Sequence, residues 1–191
     1  FEYARSGNRE ALDMVLFTLR AMAGGGIHDR VGGGFHRYSV DERWQVPHFE
    51  KMLYDQALLV GAYLEAYQLS GDESLADVAR GIFEYVLRDM PDPEGGFYSA
   101  EDADSAIDPA QPEVKSEGAF YEISQIDENQ LRVNPAVREA LLAARAKRPR
   151  PHRDDKILTG WNGLMISAFA LGARDLEEPK YLAAPQRAAA F

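Results

Sequence analysis

Cysteine is absent from the 191 residues. Disulfides, thiol catalysis, Cys-x-x-Cys redox chemistry and cysteine-ligated zinc or iron–sulfur sites are therefore excluded within this chain. Long apolar runs are missing as well. None approaches the roughly 20 residues a membrane span needs. Basic residues are scarce, 21 against 31 acidic, for a net charge of −10. Nucleic-acid binders need a basic footprint, so no nucleic-acid partner is expected, and no membrane partner either. What is present suits a globular core: 46% of residues are hydrophobic and 27% charged. The chain starts at Phe1, not Met, and stops at Phe191 inside an apparently helical stretch. It reads as a piece of a longer protein. A cytoplasmic location is expected, although a targeting signal cannot be judged from a fragment.

Charge is unevenly spread. Residues 51–130 carry 18 acids and 4 bases, whereas residues 131–191 carry 6 acids and 11 bases. Such asymmetry suits complementary faces of one fold.

Helical periodicity dominates. Leu12, Val15, Leu16, Leu19 and Met22 recur at helical spacing, which predicts an amphipathic helix over 9–23. Asn8 can cap its start, and Gly24-Gly25-Gly26 ends it. The stretch 51–70 is apolar nearly all round, as a buried helix is. Asp72 caps a second amphipathic helix over 73–90, stopped by Pro91. Another nearly all-apolar helix runs from Trp161 to Ala173, with Thr159 as its expected cap, and a last helix reaches the chain end. A further amphipathic helix is expected near 134–147. Buried and amphipathic helices thus alternate, as two concentric rings of helical hairpins require. The fold class is all-α, with the long links 24–50 and 91–159 on one rim. Glycine–aromatic strings within them (Gly33-Gly34-Phe35, Gly95-Gly96-Phe97, Gly118-Ala119-Phe120) suit short strands there.

Long links inside a compact domain are usually functional, and all four histidines lie in these two. Three clusters can carry chemistry. In the first, His36-Arg37-Tyr38 precedes Trp44 and the run His48-Phe49-Glu50, which enters the buried helix bearing Asp55. A histidine at a helix start beside a cavity is a natural general acid or base near neutral pH. The second is Glu101-Asp102-Ala103-Asp104. As a calcium loop it fails, because Ala106 and Ile107 stand where an oxygen ligand and a glycine are required. Paired carboxylates also suit sugar chemistry. The third is Asp154-Asp155, followed by Trp161 and Asn162. There an aromatic plate, carboxylates and an amide could hold a sugar ring and its hydroxyls. No cofactor and no metal are called for.

Five strings carry a specific resemblance: Gly-Gly-Phe-His-Arg-Tyr-Ser (33–39), Trp-x-Val-Pro-His-Phe-Glu-Lys-Met-Leu-Tyr-Asp-Gln-Ala (44–57), Ser-Ala-Glu-Asp-Ala-Asp-Ser (99–105), Glu-Gly-Ala-Phe-Tyr (117–121) and Asp-Asp-Lys-x-Leu-Thr-x-Trp-Asn-Gly-Leu-Met (154–165). The chain resembles the thioredoxin-domain-containing family of spermatogenesis-associated protein 20. The resemblance implies a thioredoxin-like domain, absent here and expected upstream as a partner. It also implies an (α/α) toroid similar to six-hairpin glycosidases and N-acylglucosamine 2-epimerases. Residues 1–191 would form about half of that toroid, with 91–159 as a long rim insertion. The family's continuation after Phe120-Tyr121 is not visible near 122–134, so residues are expected to be missing there.

The reading that follows is general acid/base chemistry on a sugar-like ligand. In an epimerase-like version, His36 and His48 exchange a proton next to a carbonyl, and Arg37 stabilises the enolate oxygen. In a hydrolase-like version, Asp102 or Asp104 pairs with Glu50. Arg37, Tyr38, Trp44, Asp55, Asp154, Asp155, Trp161 and Asn162 are the expected substrate-binding residues. The rival reading is a non-catalytic binding or scaffold module attached to the thioredoxin-like domain.

Overall fold

The computed structural model describes residues 2–122 and 135–191. The expectation of a gap near 122–134 falls almost wholly outside them.

After a short helix α1 (Glu2–Ser6), helix α2 spans Arg9–Gly24. Asn8 Oδ1 accepts from Glu10 N and Ala11 N at 3.1 and 3.4 Å, which satisfies orphan donors of the first turn. Leu12, Leu16 and Leu19 bury one stripe of α2. Helix α3 (Leu53–Ser70) is buried on most sides and packs most extensively against helices α6 (Thr159–Asp175) and α4 (Glu73–Asp89). Its Tyr63 hydroxyl donates to Leu19 O at 2.8 Å, which ties α3 to α2. Asp72 caps α4 through Ser74 N at 3.1 Å. A 3-10 turn (Pro179–Leu182) and helix α7 (Ala183–Ala190) close the described chain. Phe83, Phe169 and Tyr181 form the aromatic centre where α4, α6 and this turn meet, with ring centroids 4.6 Å apart for Phe83–Phe169 and Phe83–Tyr181. The expectation for Thr159 is corrected: the cap position of α6 is Leu158, with no side-chain cap.

The two long links are stitched together on one side of the helices. Strand β1 (Tyr38–Ser39) pairs with β2 (Pro47–His48). Strand β3 (Lys51–Met52) pairs antiparallel with β4 (Ala100–Glu101), and β4 with β7 (Arg153–Asp154), so one three-stranded sheet draws on both links. Strands β5 (Asp104–Ala106) and β6 (Lys115–Glu117) form a second hairpin. Helix α5 (Pro135–Arg145) lies beside the sheet, and Arg145 is its only buried residue.

The glycine–phenylalanine strings are fixed by a device used twice. Gln56 of α3 grips the backbone of Phe35: Phe35 N donates to Gln56 Oε1 and Gln56 Nε2 donates to Phe35 O, both at 2.8 Å. Asn162 of α6 grips Phe97 in the same way, at 2.8 and 3.0 Å. Each all-apolar helix thus carries one buried amide that orders one rim loop. Gly33 is required for a different reason. Its φ is +81°, and a Cβ there would lie 2.2 Å from Gly81 O. Gly33→Ala is expected to cost about 2 kcal/mol or more, from strain plus a backbone clash. A urea midpoint equal to that of the unsubstituted chain would refute this.

Candidate active site

The rim site grows from the start of α3. Glu50 immediately precedes strand β3, and Tyr54 and Asp55 stand in the first turn of α3. Arg37 Nη1 donates to Glu50 Oε2 at 2.7 Å. His48 comes from β2, where Tyr38 is its register partner and stacks on its ring at 4.8 Å. His48 Nδ1 lies 2.7 Å from Glu117 Oε1, which also accepts from Phe49 N at 3.1 Å. The other ring nitrogen, Nε2, lies 3.8 Å from Glu50 Oε2. A carboxylate on Nδ1 fixes the tautomer that leaves Nε2 free to take a proton. The arrangement therefore holds a base, a cation and carboxylates on one half-exposed patch.

Asp55 is the unusual member. Its Oδ2 is buried and makes no hydrogen bond to a described residue. Burial raises its pKa from 3.8 to about 6; Arg37 opposes the rise and Glu50 adds to it. At pH 6 about half of this carboxyl still carries its proton, and about a tenth at pH 7, far more than an unperturbed aspartate and enough to serve as a general acid. Beside it, Trp161 meets Tyr54 edge to face at 4.8 Å.

Other expected residues stand elsewhere or are already engaged. His36 is sealed in, with 3% of its surface exposed, and its Nδ1 is 2.9 Å from Phe49 O. Burial, aided by the charge of Lys51, lowers its pKa to about 3. As placed, this ring is closed to a ligand and neutral near pH 7, so its expected role as exchanging partner gains no support here. The Asn162 amide is bonded to Phe97, so the substrate-binding role expected of it gains no support either. Trp44 sits at φ +63° and packs its ring on the core rather than into the rim. Asp102 and Asp104 are exposed. Asp102 Oδ1 accepts from Ala103 N at 2.7 Å, and Asp104 stands in register with Glu117. Asp154 pairs with Lys156 at 2.9 Å, and Asp155 is exposed.

Sequence reasoning missed Glu117, although it begins one of the quoted strings. Glu101 was named in the acidic run but given no role, although it is the run's buried member. Tyr85 and Tyr121 hydroxyls donate to Glu101 Oε2 at 3.1 and 3.0 Å. Period-two alternation was the available signal: Glu101 points inward and Asp102 outward. Among the described residues, no group of three or more histidine, aspartate or glutamate side chains could hold a metal ion. No helix among them is long and apolar enough to cross a membrane.

No protein-family model matches the chain. Spermatogenesis-associated protein 20 of Homo sapiens is 41% identical over 234 aligned residues, which cover 87% of this chain and 29% of that protein. The Mus musculus protein of the same name is 39% identical over 254, covering 98% and 32%. The chain belongs to the spermatogenesis-associated protein 20 family. It spans about three tenths of the length of these relatives. The mouse alignment is also longer than the 191-residue chain, so that relative carries extra residues inside the shared span.

Solved structures define the fold of this family segment. A family 76 glycoside hydrolase from a bovine Bacteroides thetaiotaomicron strain superposes with a TM-score of 0.63 at 16% identity, covering 98% of this chain and 31% of that one. A family 76 mannosidase of Bacteroides thetaiotaomicron gives 0.62 at 14% identity, covering 98% and 39%. The segment is therefore part of an (α/α) toroid of helical hairpins with short β-hairpins on its loop rim, a carbohydrate-active-enzyme-like fold.

Proposed function

We propose that the rim site performs general acid/base chemistry on a sugar or polyol. The observation that carries this is the dyad His48–Glu117, closed at 2.7 Å, with Nε2 turned toward the Arg37–Glu50 pair. In the epimerase-like step, His48 Nε2 takes a proton from carbon next to the carbonyl of an open-chain sugar. The electron pair moves onto the carbonyl oxygen. Arg37 retains donors to meet that oxyanion, and Asp55 supplies the returning proton. Trp161 and Tyr54 offer ring faces for the sugar.

A second reading, hydrolysis of a glycoside, is favoured by Asp55. A carboxyl half-protonated near pH 6, beside the Arg37-held Glu50, is the pairing that protonates a leaving oxygen and supplies a second carboxylate. The family 76 glycoside hydrolase likenesses support a carbohydrate in either case. The thioredoxin-like domain expected upstream would then be a partner of this site within the full-length protein.

Deuterium incorporation from heavy water into open-chain sugars separates the readings, using the full-length protein and its His48→Gln variant. The variant is expected to lose exchange about 100-fold or more. Equal exchange in both proteins overturns the epimerase-like step, and release of sugar from aryl glycosides without exchange supports hydrolysis.

A further inference from the structure

A cavity away from the rim site is lined by residues of β3, β4, α4 and the end of α5. Glu50 and Lys51 are neighbours in sequence, yet Glu50 bonds Arg37 at the rim while Lys51 lines this cavity. It encloses about 300 Å³, enough for a small organic molecule. Lys51 and its register partner Glu101 line part of it. Tyr85, Tyr121, Arg145, Arg88, Asp89 and Arg150 line the rest of it.

We propose that this cavity binds a small molecule through an oxyanion group, a phosphate or a carboxylate. The lining supplies four cations, Lys51, Arg88, Arg145 and Arg150, against three carboxylates. The carboxylates are already served. Asp29 accepts from Lys51 at 2.8 Å, from Arg145 at 2.7 Å and from the Val31 and Gly32 N–H groups at 3.2 and 3.0 Å. Asp89 accepts from both Arg88 and Arg150. Glu101 Oε2 takes the two tyrosine hydroxyls. Donors, by contrast, are left over. A guanidinium carries five N–H groups. Arg150 donates one hydrogen bond, to Asp89, and no other to a described residue. The unmet demand in the cavity is for acceptors on a negatively charged group. An arginine fork fits both phosphate and carboxylate.

The attachment of α5 points the same way. No apolar residue of this helix is buried. It holds to the body through Arg145 on Asp29 and through Arg138, which donates to Val31 O at 3.0 Å and Glu84 at 3.1 Å. An anion bridging Arg145, Arg150 and Arg88 adds a link between the α5 end and α4, so occupancy should stiffen α5.

Calorimetric titration of the full-length protein with inorganic phosphate and, separately, acetate tests this and identifies the group. Saturable binding with a Kd of about 1 mM or tighter to at least one of them is expected. Arg150→Gln, and independently Arg88→Gln, should weaken it about 10-fold or more while leaving the phosphate-free melting temperature within about 2 °C. Arg9→Gln, on the far side of α2, should change nothing. Hydrogen exchange over residues 135–145 should slow in the presence of the bound anion. No saturable binding to either anion overturns the proposal. Equal weakening by Arg9→Gln, or binding that leaves 135–145 unprotected, does so as well.

Discussion

Lys51→Met is expected to lower the unfolding free energy by about 3 kcal/mol, near the low end for breaking a buried ion pair. Lys51 is 1% exposed. Its ammonium bonds Asp29 Oδ2 at 2.8 Å and Gly33 O at 2.9 Å, and lies 4.2 Å from the centre of the Tyr85 ring. Methionine matches the stem and removes all three contacts. Arg145 remains on Asp29, which is why the loss is not larger. The same substitution at Lys156, on the surface, should stay within about 0.5 kcal/mol. The pH dependence provides a second check. Burial alone would raise the pKa of Asp29, but Lys51 and Arg145 outweigh it and hold the carboxyl well below its usual range. A depressed acid contributes stability that is present above its unfolded pKa of about 4 and is lost as pH falls below that. Acid unfolding of Lys51→Met should therefore be shallower than that of the unsubstituted protein. Urea denaturation at pH 7 and pH 3.5 measures both effects. A cost at Lys51 no greater than at Lys156 would sink the account.

The helices were legible in the sequence because their signals are local. Asn8 and Asp72 cap where side-chain chemistry says they should. The all-round apolar stretches became helices α3 and α6, but α6 leaves one face, with Leu164 and Ala170, exposed within the described chain. The site was legible only in outline, because sequence motifs do not say which residues face each other. Gln56 and Asn162 look alike on paper as polar residues in apolar helices. Only the fold shows that each is matched to one loop phenylalanine, which leaves no amide for a ligand. His36 and His48 look equally suited to proton transfer. The fold separates them: one ring is clasped between Phe49 and Tyr121, the other stacks on Tyr38 at the surface. Glu117 reaches His48 across 69 residues of sequence, a pairing that helical or strand periodicity does not carry. Arg145 reaches Asp29 across 116.

Asp55→Asn is expected to abolish most activity on the sugar or polyol and to stabilise the fold. Loss of a general acid costs about 10²–10⁴-fold in turnover. The stability gain follows from the same burial. The Asp55 pKa is raised to about 6 in the folded chain, against 3.8 unperturbed. Folding therefore disfavours the ionised form. The resulting destabilisation is absent below pH 4, grows as pH rises toward 6, and is constant above that. Asp55 is only half-buried, so the full shift overstates it. A gain of about 1 kcal/mol at pH 8, or roughly 2–4 °C in melting temperature, is the expected size. At pH 3.5 the two proteins should melt together. Activity should follow the opposite limb, falling as pH rises through about 6 and the proton leaves. Asparagine keeps the shape and a hydrogen-bonding amide but has no proton to give, so a residue that merely holds a hydroxyl would tolerate the change with a modest rise in KM. Retained turnover with an unchanged pH profile in Asp55→Asn would remove Asp55 from the chemistry, whereas lost turnover together with a raised melting temperature identifies a carboxyl kept at a stability cost for catalysis.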